Sequence, residues 1–146
     1  MERIGIYGGT FNPPHLGHML AARQAVRLLR LDRLLLIPDR IAPHKVLPEG
    51  SASPEERMQM LRLAAAGIEK AEVSDIELRR EGTSFTYLTI LELKQQYPEA
   101  QLVLIMGTDM FLTLQNWHQP ERIMELAGIC AFGRTEQDGE ELFAPQ

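Results

Sequence analysis

Cysteine is nearly missing from the chain: Cys130 stands alone among 146 residues, which excludes an intramolecular disulfide and argues against a thiolate metal cage. Its setting, Ile129-Cys130-Ala131-Phe132, reads as an inert core thiol. Long apolar runs are also lacking, and none approaches the ~18 residues a membrane helix needs. The first residues, Met1-Glu2-Arg3-Ile4-Gly5-Ile6, enter a strand-like pattern with no apolar leader region or small-residue cleavage site. These absences predict a cytoplasmic chain without membrane attachment. Positive charge is scarce too, 15 Lys and Arg against 20 Asp and Glu for a net −5. That balance argues against a general nucleic-acid binder, which displaces counterions with a basic field. It leaves open a local basic site for a small phosphate compound.

What is present is ample for folding. With 45% hydrophobic and 24% charged positions, the chain can bury enough apolar surface to offset its ordering entropy, and the length suits one domain. Short apolar runs alternate with helical periodicity, as in a parallel sheet with crossover helices. Strands are expected at Arg3 to Tyr7, Leu34 to Ile37, Leu102 to Met106 and Ile129 to Phe132, with a weaker one near Val73 to Ile76. The Leu34 and Leu102 runs are apolar on both faces, as central parallel strands covered by helices must be.

The first helix is expected from near His15 to near Arg30, with Met19, Ala22, Val26 and Leu29 inward and Arg23, Arg27 and Arg30 on a solvated stripe. Ser53-Pro54-Glu55-Glu56 has the N-cap serine, first-turn proline and glutamate of a capping box, and Met58, Leu61 and Ala65 follow as a buried stripe. A third helix is expected after Thr83-Ser84, running to about Tyr97 before Pro98. Shorter helical pieces should follow Asp109 and Pro120, the latter closing at Gly128. Pro38 to Glu49, with three prolines, reads as an active-site loop. The domain is therefore expected over residues 1–134, followed by a polar, unpatterned and mobile tail over 135–146.

The chemistry concentrates after the first strand, in Tyr7-Gly8-Gly9-Thr10-Phe11-Asn12-Pro13-Pro14-His15-Leu16-Gly17-His18. Glycines at a strand end, followed by a helix N-terminus, let the backbone approach an anion and point unsatisfied N–H groups at it. The spacing matches neither the dinucleotide fingerprint nor a P-loop. Instead, two imidazoles three residues apart share a helix face and can reach one ligand. Three readings fit the pair: a zinc site, which lacks a clear further ligand; a cap plus a packed ring; or hydrogen-bond donation to a phosphoryl group as charge shifts in a transition state.

This segment resembles the Gly-Gly-Ser/Thr-Phe-x-Pro-x-His-x-Gly-His signature of the nucleotidyltransferase superfamily. Later stretches narrow the resemblance to the bacterial nicotinate mononucleotide adenylyltransferases, through Arg134. Ala42-Pro43-His44-Lys45 resembles that family's phosphate-facing loop, and Thr83-Ser84-Phe85-Thr86-Tyr87 its nicotinate-receiving segment, whose helix amides would prefer nicotinate to the neutral nicotinamide. Alternatively, Lys45 is simply solvated and Thr83 or Ser84 only caps the helix. Gly107-Thr108-Asp109 corresponds to the nucleotide site, with Asp109 as an ordinary N-cap the competing possibility. Trp117, beside His118, corresponds to a ring that stacks on the nicotinate, and Arg134 to an arginine near the phosphates.

The resemblance implies an α/β Rossmann-like, doubly wound parallel sheet. The implied reaction is adenylyl transfer from ATP, with Mg2+, to nicotinate mononucleotide, giving deamido-NAD and pyrophosphate. His15, His18 and Lys45 would serve catalysis. Gly8, Gly9, Thr10, Phe11, Gly107, Asp109 and Arg134 would meet ATP, while His44, Lys45, Ser84, Phe85, Thr86, Tyr87, Trp117 and His118 would meet the mononucleotide. No protein-borne metal site, nucleic acid or membrane partner is expected. The family's C-terminal Ile-Ser-Ser-Thr-x-Ile/Leu-Arg motif has no counterpart, since the last serine is Ser84, so a C-terminally short chain is expected. Two other functions stay open: a mononucleotide-binding fragment without turnover, and transfer to another acceptor such as phosphopantetheine.

Overall fold

A computed structural model describes residues 1–9, 11, 14, 16–39, 53–80, 85–133 and 142–143. Strands β1 (Arg3–Gly9), β2 (Arg33–Pro38), β3 (Ala71–Val73), β4 (Gln101–Gly107) and β5 (Ala127–Phe132) form a parallel sheet in the order β3-β2-β1-β4-β5. A short strand β6 (Leu142–Phe143) pairs antiparallel with Ala131 and Phe132 at the β5 edge. Within the expected tail, then, these two apolar residues join the sheet.

Period-two alternation sorts the side chains of each strand onto two faces. Tyr7, Leu34, Leu36, Val103 and Ile105 pack against helices α1 (Leu16–Leu28) and α2 (Pro54–Ala65) on one face. Ile4, Ile6, Leu35, Ile37, Leu102 and Leu104 face α3 (Thr86–Gln96) and α5 (Pro120–Leu126) on the other. The sheet is thus doubly wound, and the continuous apolar runs are buried on both sides as expected.

Helix α1 lays Met19, Ala21, Ala22 and Ala25 on the sheet while Arg23 and Arg27 stay exposed. Small residues bring it close, and Gly5 on β1 leaves room for Leu31 in the connection that follows α1: a Cβ there would lie 2.5 Å from Leu31 Cδ1. The capping box of α2 forms as expected, with Glu56 N donating to Ser53 Oγ over 3.1 Å and Ser53 N donating to Glu56 Oε1 over 2.8 Å.

Several boundaries differ from expectation: β1 runs two residues past Tyr7 to Gly9, β5 opens at Ala127 rather than Ile129, and α1 closes at Leu28 rather than near Arg30. Helix α3 opens at Thr86, with Phe85 at its N-cap and no side-chain cap. The weak strand lies at Ala71–Val73, opposite Leu34–Leu36, while Ile76 enters the core from the following turn. Helix α5 closes at Leu126 rather than Gly128, because Ala127 and Gly128 are already opposite Leu102 and Val103 in the β4 ladder. No helix among the described residues is long and apolar enough to cross a membrane. Of the loop expected over Pro38 to Glu49, Pro38 instead closes β2 and Asp39 follows it, and residues 40–49 lie outside the described residues.

Two predictions follow from the packing and the cap. Gly5→Ala should lose about 1–3 kcal/mol in urea unfolding through overpacking; an unchanged midpoint would show that Leu31 yields freely. Ser53→Ala should lose about 1 kcal/mol. The Ser53 backbone and side-chain hydrogen bonds hold the Glu56 carboxyl below its ordinary value. The stabilisation from this shift is fully present above the unfolded carboxyl pKa and is lost as pH falls through the folded one. The Ser53→Ala deficit should therefore narrow in acid, and a deficit that widens there would contradict the box.

Candidate active site

The backbone ladder around β1 ends unevenly. Against β2, β1 is paired through Gly9, opposite Pro38; against β4 the pairing stops at Tyr7 and Ile105. Beyond that point β4 stays with β5 as far as Gly107 and Phe132. The β1–β4 edge therefore opens at its C-terminal end, between Gly8-Gly9 on one side and Met106-Gly107 on the other. It is also where the connections diverge, β1 leading into α1 on one face and β4 into α5 on the other, which is the point where open α/β sheets bind ligands.

The walls of this opening are tied down. Asp39 N donates to Gly9 O over 2.9 Å, and Thr108 Oγ1 donates to Phe132 O over 2.9 Å. Gly8 is exposed, so a ligand meets bare backbone there. At Gly9 a Cβ would come within 3.4 Å of Phe11 Cζ.

His18 sits in the first turn of α1, half-buried against an aromatic cluster. Its ring lies edge-on to Phe11, with centroids 5.0 Å apart, and 6.4 Å from Tyr7. Tyr7 in turn packs edge-on against Phe11 and Phe132. Phe11 has a left-handed backbone, φ 49°, a conformation that costs a bulky residue of order 1–3 kcal/mol. Burial of its side chain, which is only 2% exposed, offsets that cost. The ring of Phe11 is therefore turned into the core and does not face a ligand. Gly17, exposed beside His18, leaves that face of the turn open.

A second cluster forms at the same end of the sheet, since α3 must carry the chain from the top of β3 down to the start of β4. Phe85 and Tyr87 at its start have ring centroids 4.8 Å and 6.0 Å from His118. Trp117 is half-buried, its Nε1 donating to Thr113 Oγ1 over 3.0 Å, and that hydroxyl donates to Met110 O over 2.8 Å. Residues 85–87 and 117–118, distant in sequence, thus meet. Asp109 is exposed in the first turn of α4 (Thr108–Phe111), where Gly107 and not Asp109 holds the N-cap. Thr10, His15, His44, Lys45, Ser84 and Arg134 lie outside the described residues.

The sequence reading missed Arg57. Its side chain is completely buried from α2 and reaches Asp39 Oδ1 at 3.5 Å, next to the bond that Asp39 makes to Gly9. The signal was its position four and eight residues before Leu61 and Ala65, on the apolar stripe. A charged group on a buried stripe must have a partner. Burial raises the Cys130 thiol pKa, in keeping with an inert core residue. Among the described residues no three His, Cys, Asp or Glu side chains converge to hold a metal ion.

Residues 6–145 match the cytidylyltransferase-like family. The chain is 43% identical over 134 residues to a protein of Geobacillus thermodenitrificans named as a probable nicotinate-nucleotide adenylyltransferase, covering 92% of this chain and 62% of that one. It is 37% identical over 144 residues to a protein of the same name from Exiguobacterium sibiricum, covering 99% and 74%. A solved structure of the Plasmodium falciparum nicotinic acid mononucleotide adenylyltransferase complexed with NaAD superposes with a TM-score of 0.80 at 18% identity, covering 93% of this chain and 66% of that one. The last similarity speaks for the fold alone. The chain belongs to the cytidylyltransferase-like family.

Proposed function

We propose that these residues carry out adenylyl transfer from ATP to nicotinate mononucleotide, giving deamido-NAD and pyrophosphate. The observation that supports this most is that an opened glycine-lined strand edge beside His18 and an aromatic cluster built from Phe85, Tyr87 and His118 lie at the same C-terminal end of the sheet. One suits a phosphate chain and the other a flat heterocycle. The names of the relatives give nicotinate nucleotide as the acceptor and an adenylyl group as what is transferred. Because the chain spans 62% of the length of its Geobacillus relative, the reaction is assigned to these residues as a proposal about the core they form.

The chemistry is an in-line displacement. A phosphate oxygen of the mononucleotide attacks the α-phosphorus of ATP, the bond to the oxygen bridging α and β breaks, and pyrophosphate leaves with that electron pair. No covalent enzyme intermediate is needed, so the rate must come from positioning and charge stabilisation. His18, and His15 with it, donates to the α-phosphate and bridging oxygen as charge builds. His44, Lys45 and Arg134 hold phosphate charge. Gly8, whose backbone is exposed, and with it Gly9, Thr10, Phe11, Gly107 and Asp109, receive the nucleotide. Mg2+ accompanying ATP would supply neutralisation of the charge that builds on the departing pyrophosphate.

On the acceptor side, the start of α3 at Thr86, which has no side-chain cap, presents backbone N–H groups to the pyridine carboxylate, and Ser84 is assigned to the same substrate. Phe85, Tyr87, Trp117 and His118 enclose the ring. This arrangement favours the anionic nicotinate over nicotinamide.

Pyrophosphate release in the presence of ATP and nicotinate mononucleotide tests the assignment. His18→Ala should lower kcat by about 10²-fold or more while mononucleotide affinity changes little. Near-normal turnover would remove His18 from the mechanism. His118→Ala should raise KM for the mononucleotide about tenfold and leave KM for ATP unchanged, whereas a change confined to ATP would contradict the acceptor pocket. Release with phosphopantetheine but not with nicotinate mononucleotide would overturn the acceptor. Binding of both substrates without release would mark a mononucleotide-binding core without turnover.

A further inference from the structure

Behind the acceptor cluster lies a chain of polar side chains that the proposed reaction does not use. Thr89, 1% exposed on the inner face of α3, donates its hydroxyl to Glu77 Oε2 over 2.7 Å, in a buried bond. Thr89 Oγ1 in turn accepts from Arg80 NH1 over 3.2 Å, and Arg80 NH2 reaches Glu92 Oε1 at 3.2 Å. The order is carboxylate, hydroxyl, guanidinium, carboxylate. A hydroxyl that accepts from a cation donates more strongly to an anion, so each bond in such a chain reinforces the next. Thr89 is the centre, with its one proton and its oxygen both engaged.

The chain joins two stretches that border the acceptor residues on either side in sequence. Glu77 and Arg80 belong to the turn after β3; Thr89 and Glu92 lie on the first turns of α3. Phe85, Thr86 and Tyr87 lie between them. Helix α3 has no side-chain cap to fix its start, and the first backbone bonds, from Leu88 N and Thr89 N, both go to Phe85 O. Thr89 therefore anchors the first turn twice, through its amide to Phe85 and through its hydroxyl to the preceding turn.

We infer that Glu77, Thr89, Arg80 and Glu92 are positioning residues that hold Phe85, Thr86 and Tyr87 in register for a pyridine mononucleotide, and so set the preference for an anionic ring substituent. This rests on the acceptor assignment above. The preference is sensitive because a displacement of about 1 Å loosens a directed contact to a carboxylate far more than it loosens packing against a ring.

Calorimetry of the 146-residue chain with nicotinate mononucleotide and with nicotinamide mononucleotide tests it. Thr89→Val keeps the shape and removes the hydroxyl; the ratio of the two affinities should fall about tenfold, mainly through weaker nicotinate binding. Thr89→Ser should restore the ratio to within about threefold of the parent. Glu92→Gln, at the exposed end of the chain, should give an intermediate loss and serves if Thr89→Val does not fold. Arg79→Ala, which breaks only the exposed pair with Asp75, should leave both affinities as they are. An unchanged ratio in folded Thr89→Val or Glu92→Gln overturns the inference while the acceptor assignment stands. A parent chain with no preference for nicotinate overturns both.

Discussion

The site depends on one discontinuity in the backbone hydrogen bonding. Strand β1 holds β2 to its last residue and lets go of β4 after Tyr7. Were the β1–β4 ladder to continue, the N–H and C=O of Gly8, which face β4, would be consumed by that strand and would not remain for a ligand, whereas Gly9 faces β2, where Asp39 N bonds its carbonyl. The split costs ladder bonds, and the neighbouring pairs compensate: Asp39 secures Gly9 from the β2 side, and Thr108 secures the end of β4 to β5. The opening is thus held rigid on both banks.

Rigidity on the β2 bank reaches down into the core. Arg57 is buried in full and meets Asp39, so a helix on one face of the sheet braces the strand end beside the glycines. A charge buried this deeply is stable only while its partner stays in place, which makes the position of Asp39 a condition of the fold rather than of the surface. Phe11 works in the same sense. Its left-handed backbone is kept by burial of its ring against Tyr7 and His18, so the turn that presents His18 is fixed by the same aromatic packing that closes the core beneath it.

Much of this was legible in the sequence. The four strong strands were marked by apolar runs, and α2 by a capping box whose two hydrogen bonds both form. The glycine pair and His18 were legible because glycine at a strand end and imidazole in a first turn are chemically conspicuous. Less legible were features that need two distant segments at once. The stop in the β1–β4 ladder, the meeting of Phe85 with His118, and the Thr89 chain all depend on strand order, and no local pattern encodes which strand lies beside β1. Gly128 misled because a glycine after a helical stretch normally signals a C-cap, whereas here the β4 ladder draws it into β5. Arg57 sat in plain view on an apolar stripe, but its partner is 18 residues away in sequence.

The central claim is that ligands enter where β1 and β4 separate. A competing cleft lies at the opposite end of the sheet, lined by Lys94, Gln101, Met124 and Gly128. Amide NMR spectra recorded while ATP and then nicotinate mononucleotide are added distinguish the two ends directly. The account predicts shifts at Gly8, Gly9, Gly107, Thr108 and the 85–87 segment, with Gln101 and Gly128 unmoved. Shifts confined to Gln101, Gly128 and their neighbours would contradict it.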